Sequence, residues 1–172
     1  MKKEDIILKK ASKEDVSEIY ALMQKVYDGL EDKTLFICDS MDYVEEQIRK
    51  DGFAVIACNK AGKLIGAFIF RYPQLEEDNL GRDIFLEERE LKKVVHMEAA
   101  VVLPEYRGRG LQSGLLKYGE KLIDKNRYKY FMATVSPKNP ASYKTLEKQG
   151  YHCMTTKEKY NGQIRRIYLK KL

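Results

Sequence analysis

Apolar positions along the chain follow two periods. Val16, Ile19, Tyr20, Met23 and Val26 or Tyr27 recur three or four residues apart. That spacing predicts a helix over 13–28, with Ser12 as N-cap and Asp15 in its first turn. Met41, Val44 and Ile48 predict a second, shorter helix over 41–50 after Ser40. By contrast, FAVIAC (53–58) and KLIGAFIFRY (63–72) are rich in β-branched and aromatic residues and predict strands, joined by a hairpin turn at NKAG. DIILKKAS (5–12) predicts a first strand. KVVHMEAAVVL (93–103) predicts a long strand, apolar on both faces except at His96 and Glu98. A helix over 109–125 and a strand over 129–135 follow. Asn139, Pro140 and Gly150 suit the N-cap, first position and C′ of a helix over 139–150. Two last strands, 151–158 and 163–170, flank a turn at Asn161-Gly162. The order β α α β β β α β α β β predicts an α/β fold with a mixed sheet. With no repeat or Pro/Gly-rich linker, residues 1–172 read as a single domain.

The span 73–92 breaks the pattern and reads as irregular. It holds Glu76, Glu77, Asp78, Asp83, Glu87, Glu88 and Glu90 against Arg82, Arg89 and Lys92, a local charge of −4 in a chain of +6. Such a segment reads either as a solvated loop or as a mouth that attracts cations. The basic residues are spread along the chain, which argues against a nucleic-acid surface. No apolar run approaches the ~20 residues of a membrane span. The N-terminal MKKEDIILKK carries no apolar signal segment, so the expectation is a cytoplasmic protein with no membrane partner. Cys38, Cys58 and Cys153 show neither metal-ligand spacing nor a disulfide framework.

The densest chemistry lies in VVLPEYRGRGLQSGLL (101–116). A strand here runs through Arg107-Gly108-Arg109-Gly110 into leucines at helical spacing. A helix start offers backbone N–H donors and the positive end of a dipole, glycines admit a close ligand, and arginines add charge. Phosphate or pyrophosphate is the natural guest. The Walker A pattern is absent, and Ser113 stands where the Rossmann fingerprint needs its third glycine.

These residues resemble the acyl-CoA-binding motif of the GNAT superfamily of N-acetyltransferases. The motif places Arg or Gln three residues before a Gly and five before a Gly or Ala. Here it runs Arg107, Gly108, Arg109, Gly110, Leu111, Gln112, with Gln112 in the last place. SPKNPASYKTLEKQGY resembles the family's later helix, with Asn139 at the Asn that touches the pantetheine arm and Gly150-Tyr151 at the Gly-aromatic pair. The resemblance spans about residues 4–170. It implies a mostly antiparallel central sheet with helices on both faces, and acetyl-CoA bound where the strands at 93–103 and 129–135 splay. Pantetheine would pair with backbone at Val101, Val102 and Leu103. The pyrophosphate would rest on Gly108, Arg109, Gly110, Leu111, Gln112 and Ser113, beside Arg107, with Asn139, Ser142 and Tyr143 completing the site.

The reaction implied is direct transfer of acetyl from acetyl-CoA to a primary amine of a small molecule or peptide, in a ternary complex. A non-catalytic acyl-CoA-binding module or sensor is the alternative. No metal is implied, and the chain could act as monomer or homodimer. Strand alternation puts His96 and Glu98 on one face, and either could take the amine proton. Burial among apolar neighbours should raise the pKa of Glu98 unless a nearby arginine or lysine pairs with it. Many family members carry a Tyr where Leu146 stands. Tyr143, one turn earlier, is then the candidate to protonate the thiolate or to hold pantetheine. The first two helices, their link at 29–40 and the acidic 73–92 segment would select the acceptor, leaning towards a cationic amine.

Overall fold

The computed structural model describes residues 5–160 and 162–172. Its elements are β1 (Ile7–Lys10), α1 (Val16–Asp28), α2 (Met41–Arg49), β2 (Gly52–Cys58), β3 (Leu64–Arg71), α3 (Glu88–Leu91), β4 (Val94–Val102), α4 (Leu111–Leu122), β5 (Tyr130–Val135), α5 (Pro140–Lys148), β6 (His152–Lys159) and β7 (Gln163–Lys171). The seven strands form one mostly antiparallel sheet in the order β1-β2-β3-β4-β5-β7-β6, with helices around it. Among the described residues no helix is long and apolar enough to cross a membrane. Asn161, half of the expected last turn, lies outside the described residues. Its neighbour Gly162 has φ 91°.

The residues cluster into two compact units, Met1–Phe70 with Ala99–Leu122, and Arg71–Glu98 with Ile123–Leu172. In the first, β1 pairs antiparallel with β2, Ile7 opposite Cys58 and Lys10 opposite Val55. α1 buries Val16, Ile19, Leu22, Met23 and Val26. Its stripe thus turns slightly away from Tyr20 and Tyr27, which are half-buried. The Ser12 N–H donates to Asp15 Oδ2 at 2.8 Å and sets the entry to this helix. α4 buries Leu111, Leu115, Leu116 and Gly119. A Cβ on Gly119 would run into the Phe70 ring, so glycine lets this helix lie close against β3. Phe70 in turn stacks on Phe53 at 4.8 Å.

In the second unit, β4 and β5 run parallel, with Val94 beside Tyr130 and His96 beside Met132. β5 pairs antiparallel with β7 from Tyr130–Lys171 to Val135–Arg166, and β7 with β6. Leu80, Val94, Tyr130, Met132 and Ile167 form its core, with Ile84, Leu86 and Leu169 packed against it.

The segment over 73–92 is more ordered than its sequence suggests. It contains a 3-10 turn at Leu80–Ile84 and the short α3. Buried Asn79 fastens it: Oδ1 accepts from the Gly81 N–H at 2.8 Å, and Nδ2 donates to the carbonyls of Gln74 and Leu91 at 2.6 and 3.0 Å. Leu80 and Leu91 are its buried anchors. Two apolar residues so far apart carry no period, which is why the pattern reads as loop.

Candidate active site

β4 ends at Val102, and a 3-10 turn over Pro104–Tyr106 leads to the arginine-glycine segment. Gly108 and Gly110 both hold φ 74°, in the left-handed region. A Cβ on either would meet nothing within 4 Å, so backbone conformation, rather than packing within the chain, requires glycine here. Gly110 stops α4 from starting at 109, as its sequence suggested. The helix begins at Leu111, and its first i→i−4 bond runs from the Gly114 N–H to the Gly110 carbonyl at 3.0 Å. The positive end of the α4 dipole therefore faces an exposed turn. Arg107 Nε donates to the Val102 carbonyl at 3.3 Å, and the Arg109 guanidinium lies 5.3 Å from the Tyr106 ring centroid. Leu111 is buried and anchors the helix start, with Gln112 and Ser113 half-buried beside it.

Val101, Val102 and Leu103 are all buried. The Leu103 N–H is spent on the Ile65 carbonyl at 2.9 Å, within the sheet. This corrects the expectation that Leu103 offers its backbone to a ligand. Alternation turns the Val102 backbone to the other edge of β4.

On α5, Asn139 is an N-cap: its Oδ1 accepts from the Ser142 N–H at 3.3 Å. The Tyr143 ring lies under the Arg166 guanidinium, 4.4 Å from centroid to Cζ. Leu146 is buried.

The second cluster centres on Arg71, a residue the sequence reading did not single out. Arg71 closes the apolar run of β3 and is 2% exposed. Its guanidinium meets three carboxylates: Nε donates to Glu98 Oε2 at 3.1 Å, Nη1 to Glu76 Oε2 at 2.9 Å and Nη2 to Asp78 Oδ2 at 2.6 Å. Nη2 also lies 3.2 Å from His96 Nδ1. The signal that could have found it is a cation at the end of a buried strand, which needs partners.

His96 is buried and bound at both ring nitrogens. Nε2 accepts the Leu80 N–H at 3.0 Å, which assigns the proton to Nδ1. Nδ1 lies 3.3 Å from Glu98 Oε2 and donates to it in this tautomer. His96 therefore orients Glu98. Burial pushes the Glu98 pKa up, but the His96 hydrogen bond and the Arg71 guanidinium outweigh it and hold the carboxyl below its ordinary value. Of the two outcomes the sequence left open for Glu98, a raised pKa or a pairing cation, the second holds: Arg71 is the pairing cation.

Most other acids of 73–92 also have partners. Asp83 accepts from Lys157 at 2.6 Å and Lys159 at 2.7 Å. Glu90 accepts from Lys93 and from the Tyr130 hydroxyl, both at 2.8 Å, and Glu87 pairs with Arg89 at 3.2 Å. The excess negative charge of this region is concentrated at Arg71, where three carboxylates surround one guanidinium.

A separate contact lies further along β5, at Thr134. Thr134 Oγ1 lies 3.1 Å from the Tyr160 hydroxyl. Tyr160 has φ 45°, and its ring lies 5.8 Å from the Arg165 guanidinium.

In the first unit a glycine turn opens α4, and in the second the Glu98 carboxylate is hydrogen-bonded by Arg71 and His96. No curated protein sequence matches the chain significantly. Solved structures match it along its length. An N-acetyltransferase from Staphylococcus aureus Mu50 shares 18% identity at a TM-score of 0.71, over 97% of this chain and 98% of that one. NAA60 of Arabidopsis thaliana, solved with a bisubstrate analogue, shares 13% at 0.75, over 98% and 99%. The aminoglycoside acetyltransferase AAC(6')-Ib, solved with coenzyme A and kanamycin, shares 16% at 0.68, over 97% and 95%. At these identities the likeness is one of fold. The model of the Acetyltransferase (GNAT) family matches residues 16–151, most of the chain. With that match, the chain belongs to the acetyltransferase (GNAT) family.

Proposed function

We propose that the protein transfers an acetyl group from acetyl-CoA to a primary amine of a small molecule or peptide, by direct attack in a ternary complex. The observation that carries this reading is the turn at the end of β4, with left-handed Gly108 and Gly110 ahead of α4. Coenzyme A in the AAC(6')-Ib structure supports the same donor. Arg107 to Ser113 receive the pyrophosphate, and pantetheine pairs with the edge of β4 at Val102. In this reading the thioester, at the far end of the pantetheine arm, is served by the Glu98 carboxylate.

Glu98 then acts as a proton acceptor of low basicity. It does not strip a proton from a free ammonium, since its own pKa is depressed. The amine attacks unprotonated. Attack makes its nitrogen positive and acidic, and Glu98 takes the proton directly or through water. His96 and Arg71 keep the carboxylate aimed and ionised. The two negative charges in excess at Arg71 favour a cationic acceptor.

The test is a thermal-shift titration with acetyl-CoA, followed by thiol release with a panel of diamines, aminoglycosides and peptide amines. Stabilisation by acetyl-CoA with amine-dependent release of CoA supports the reading. Stabilisation with no release from any amine favours an acyl-CoA-binding module, and no stabilisation overturns both.

A further inference from the structure

In sequence the basic residues are spread along the chain, but the second unit gathers several of them at one place. Lys93 stands just before β4, Lys125, Arg127 and Lys129 lead into β5, and Lys170 and Lys171 end β7. These three strand ends lie side by side. The Lys129 N–H donates to the Lys93 carbonyl at 2.9 Å, the Leu172 N–H donates to the Lys129 carbonyl at 2.9 Å, and Tyr130 faces Lys171 across the ladder. Alternation then spreads the side chains around the end of the sheet. The Lys171 ammonium lies 5.7 Å from the Tyr130 ring centroid, and the Lys170 ammonium 5.5 Å from that of Tyr151. Arg127 lies 5.2 Å from the Tyr128 ring, and the Lys129 ammonium donates to the Lys125 carbonyl. Those partners are neutral, so they direct the cations without cancelling their charge. Lys93 differs in bonding Glu90 at 2.8 Å, while Asp124 turns back to accept the Asn126 N–H at 2.9 Å.

We infer that this crown of cations, set where β4 and β5 begin and β7 ends, is a docking surface for the phosphodiester backbone of a double-helical nucleic acid. The residue types point to phosphate. All but one are lysines, which meet phosphate as point charges and read no base edge. Lys125, Arg127 and Lys171 are exposed, and Lys129 and Lys170 half-buried, so the charges reach solvent. Tyr128, Tyr130 and Tyr151, the tyrosines beside them, are buried and offer no ring face on which single-stranded bases could stack. That favours a duplex, whose phosphates lie outermost. Leu172 is the exposed large apolar side chain of these strand ends. A lipid surface asks for an apolar face to bury, and a protein interface centres on apolar and aromatic side chains. The inference is independent of the acetyl-transfer reading, because no residue of the crown is assigned to that reaction.

The test is fluorescence anisotropy with short labelled RNA and DNA duplexes of one sequence, titrated with the protein at several salt concentrations. We expect affinity to fall steeply with salt, each phosphate-bound cation adding about 0.9 to the log–log slope. Lys129→Gln combined with Lys171→Gln should weaken binding at least tenfold at low salt and reduce the slope by about two. Lys9→Gln with Lys10→Gln removes the same charge from exposed positions on β1 and should change little. Thermal melting checks that each variant is folded, and Lys125→Gln with Arg127→Gln serves if the first pair is not. Binding of either duplex with loss confined to the crown variants supports the surface, and the tighter duplex identifies the source. Equal losses in the crown and β1 variants reduce the effect to net charge and overturn it. Absence of duplex binding at low salt overturns it too, as does tighter binding to phosphatidylserine vesicles or to polyglutamate, which would give the crown to a membrane or to an acidic protein.

Discussion

The turn at Arg107–Ser113 and the cluster around Arg71 are built in opposite ways. The turn is made of consecutive residues, and its geometry follows from two local facts, the left-handed glycines and the helix that follows. The cluster collects Arg71 from β3, Glu76 and Asp78 from the next loop, and His96 and Glu98 from β4. A Cβ on Gly108 or Gly110 would meet no other atom of the chain, so backbone conformation alone fixes them. In the cluster each group sets the charge state or direction of another. Local sites advertise their ligand, whereas assembled sites set their own acidity.

The sharpest way to break this contrast is Arg71→Met. It leaves Glu98 semi-buried without its guanidinium, and losing one partner of a buried ion pair costs about 3–5 kcal/mol. Chemical denaturation should show a loss of that order, and the remaining folded enzyme should have an acid limb at higher pH. No single change in the exposed turn should match it. Next, Glu98→Gln keeps the fold and should lower kcat by about 10²-fold at neutral pH. Partial recovery follows as pH rises and free amine increases. His96→Gln, which removes the ring that orients Glu98, should lose less, as steady-state kinetics with the same amine will show.

Gly110→Val probes the other side. It puts a branched side chain on a left-handed backbone in the space where the pyrophosphate would rest. Acetyl-CoA affinity should fall at least about tenfold, or roughly 1.4 kcal/mol, by calorimetric titration. The smallest effect is acidic. Burial alone would raise the Asp83 pKa, but its bonds to Lys157 and Lys159 lower it overall. A depressed carboxylate adds stability above its unfolded value, about pH 3.9, and loses it as pH falls through the folded value. Asp83→Asn should therefore flatten the acid side of the stability curve by about 1 kcal/mol or less, read from urea midpoints at descending pH.

The order of strands and major helices was legible because each carries its own period. Seven strands and four of the five helices stand within a few residues of where the pattern puts them. The missing pieces, α3 and the 3-10 turn at Leu80–Ile84, are held by Asn79 and by two isolated leucines, none of which repeats. In the candidate site the glycine turn was legible for the same local reason. Glu98 stood out as a charge on an apolar strand, but the sign of its pKa shift depends on Arg71, 27 residues earlier in sequence. Tyr160 carried no signal at all. Its hydroxyl meets Thr134, 26 residues earlier, and no local pattern reveals such a contact.

The division of the chain has a consequence for biosynthesis. Each compact unit is assembled from two separated stretches, with exchanges at 70/71, 98/99 and 122/123. Neither can leave the ribosome as one continuous piece and fold alone. The strand that completes β5 is the last, and Tyr130 meets its partner only when Lys171 has been made. Until then β5 carries an unpaired edge, including the Thr134 backbone that later faces Ile167. Nascent chains halted before residue 163 should be prone to aggregation and protease-sensitive in the second unit, whatever the condition of α1, α2 and β2.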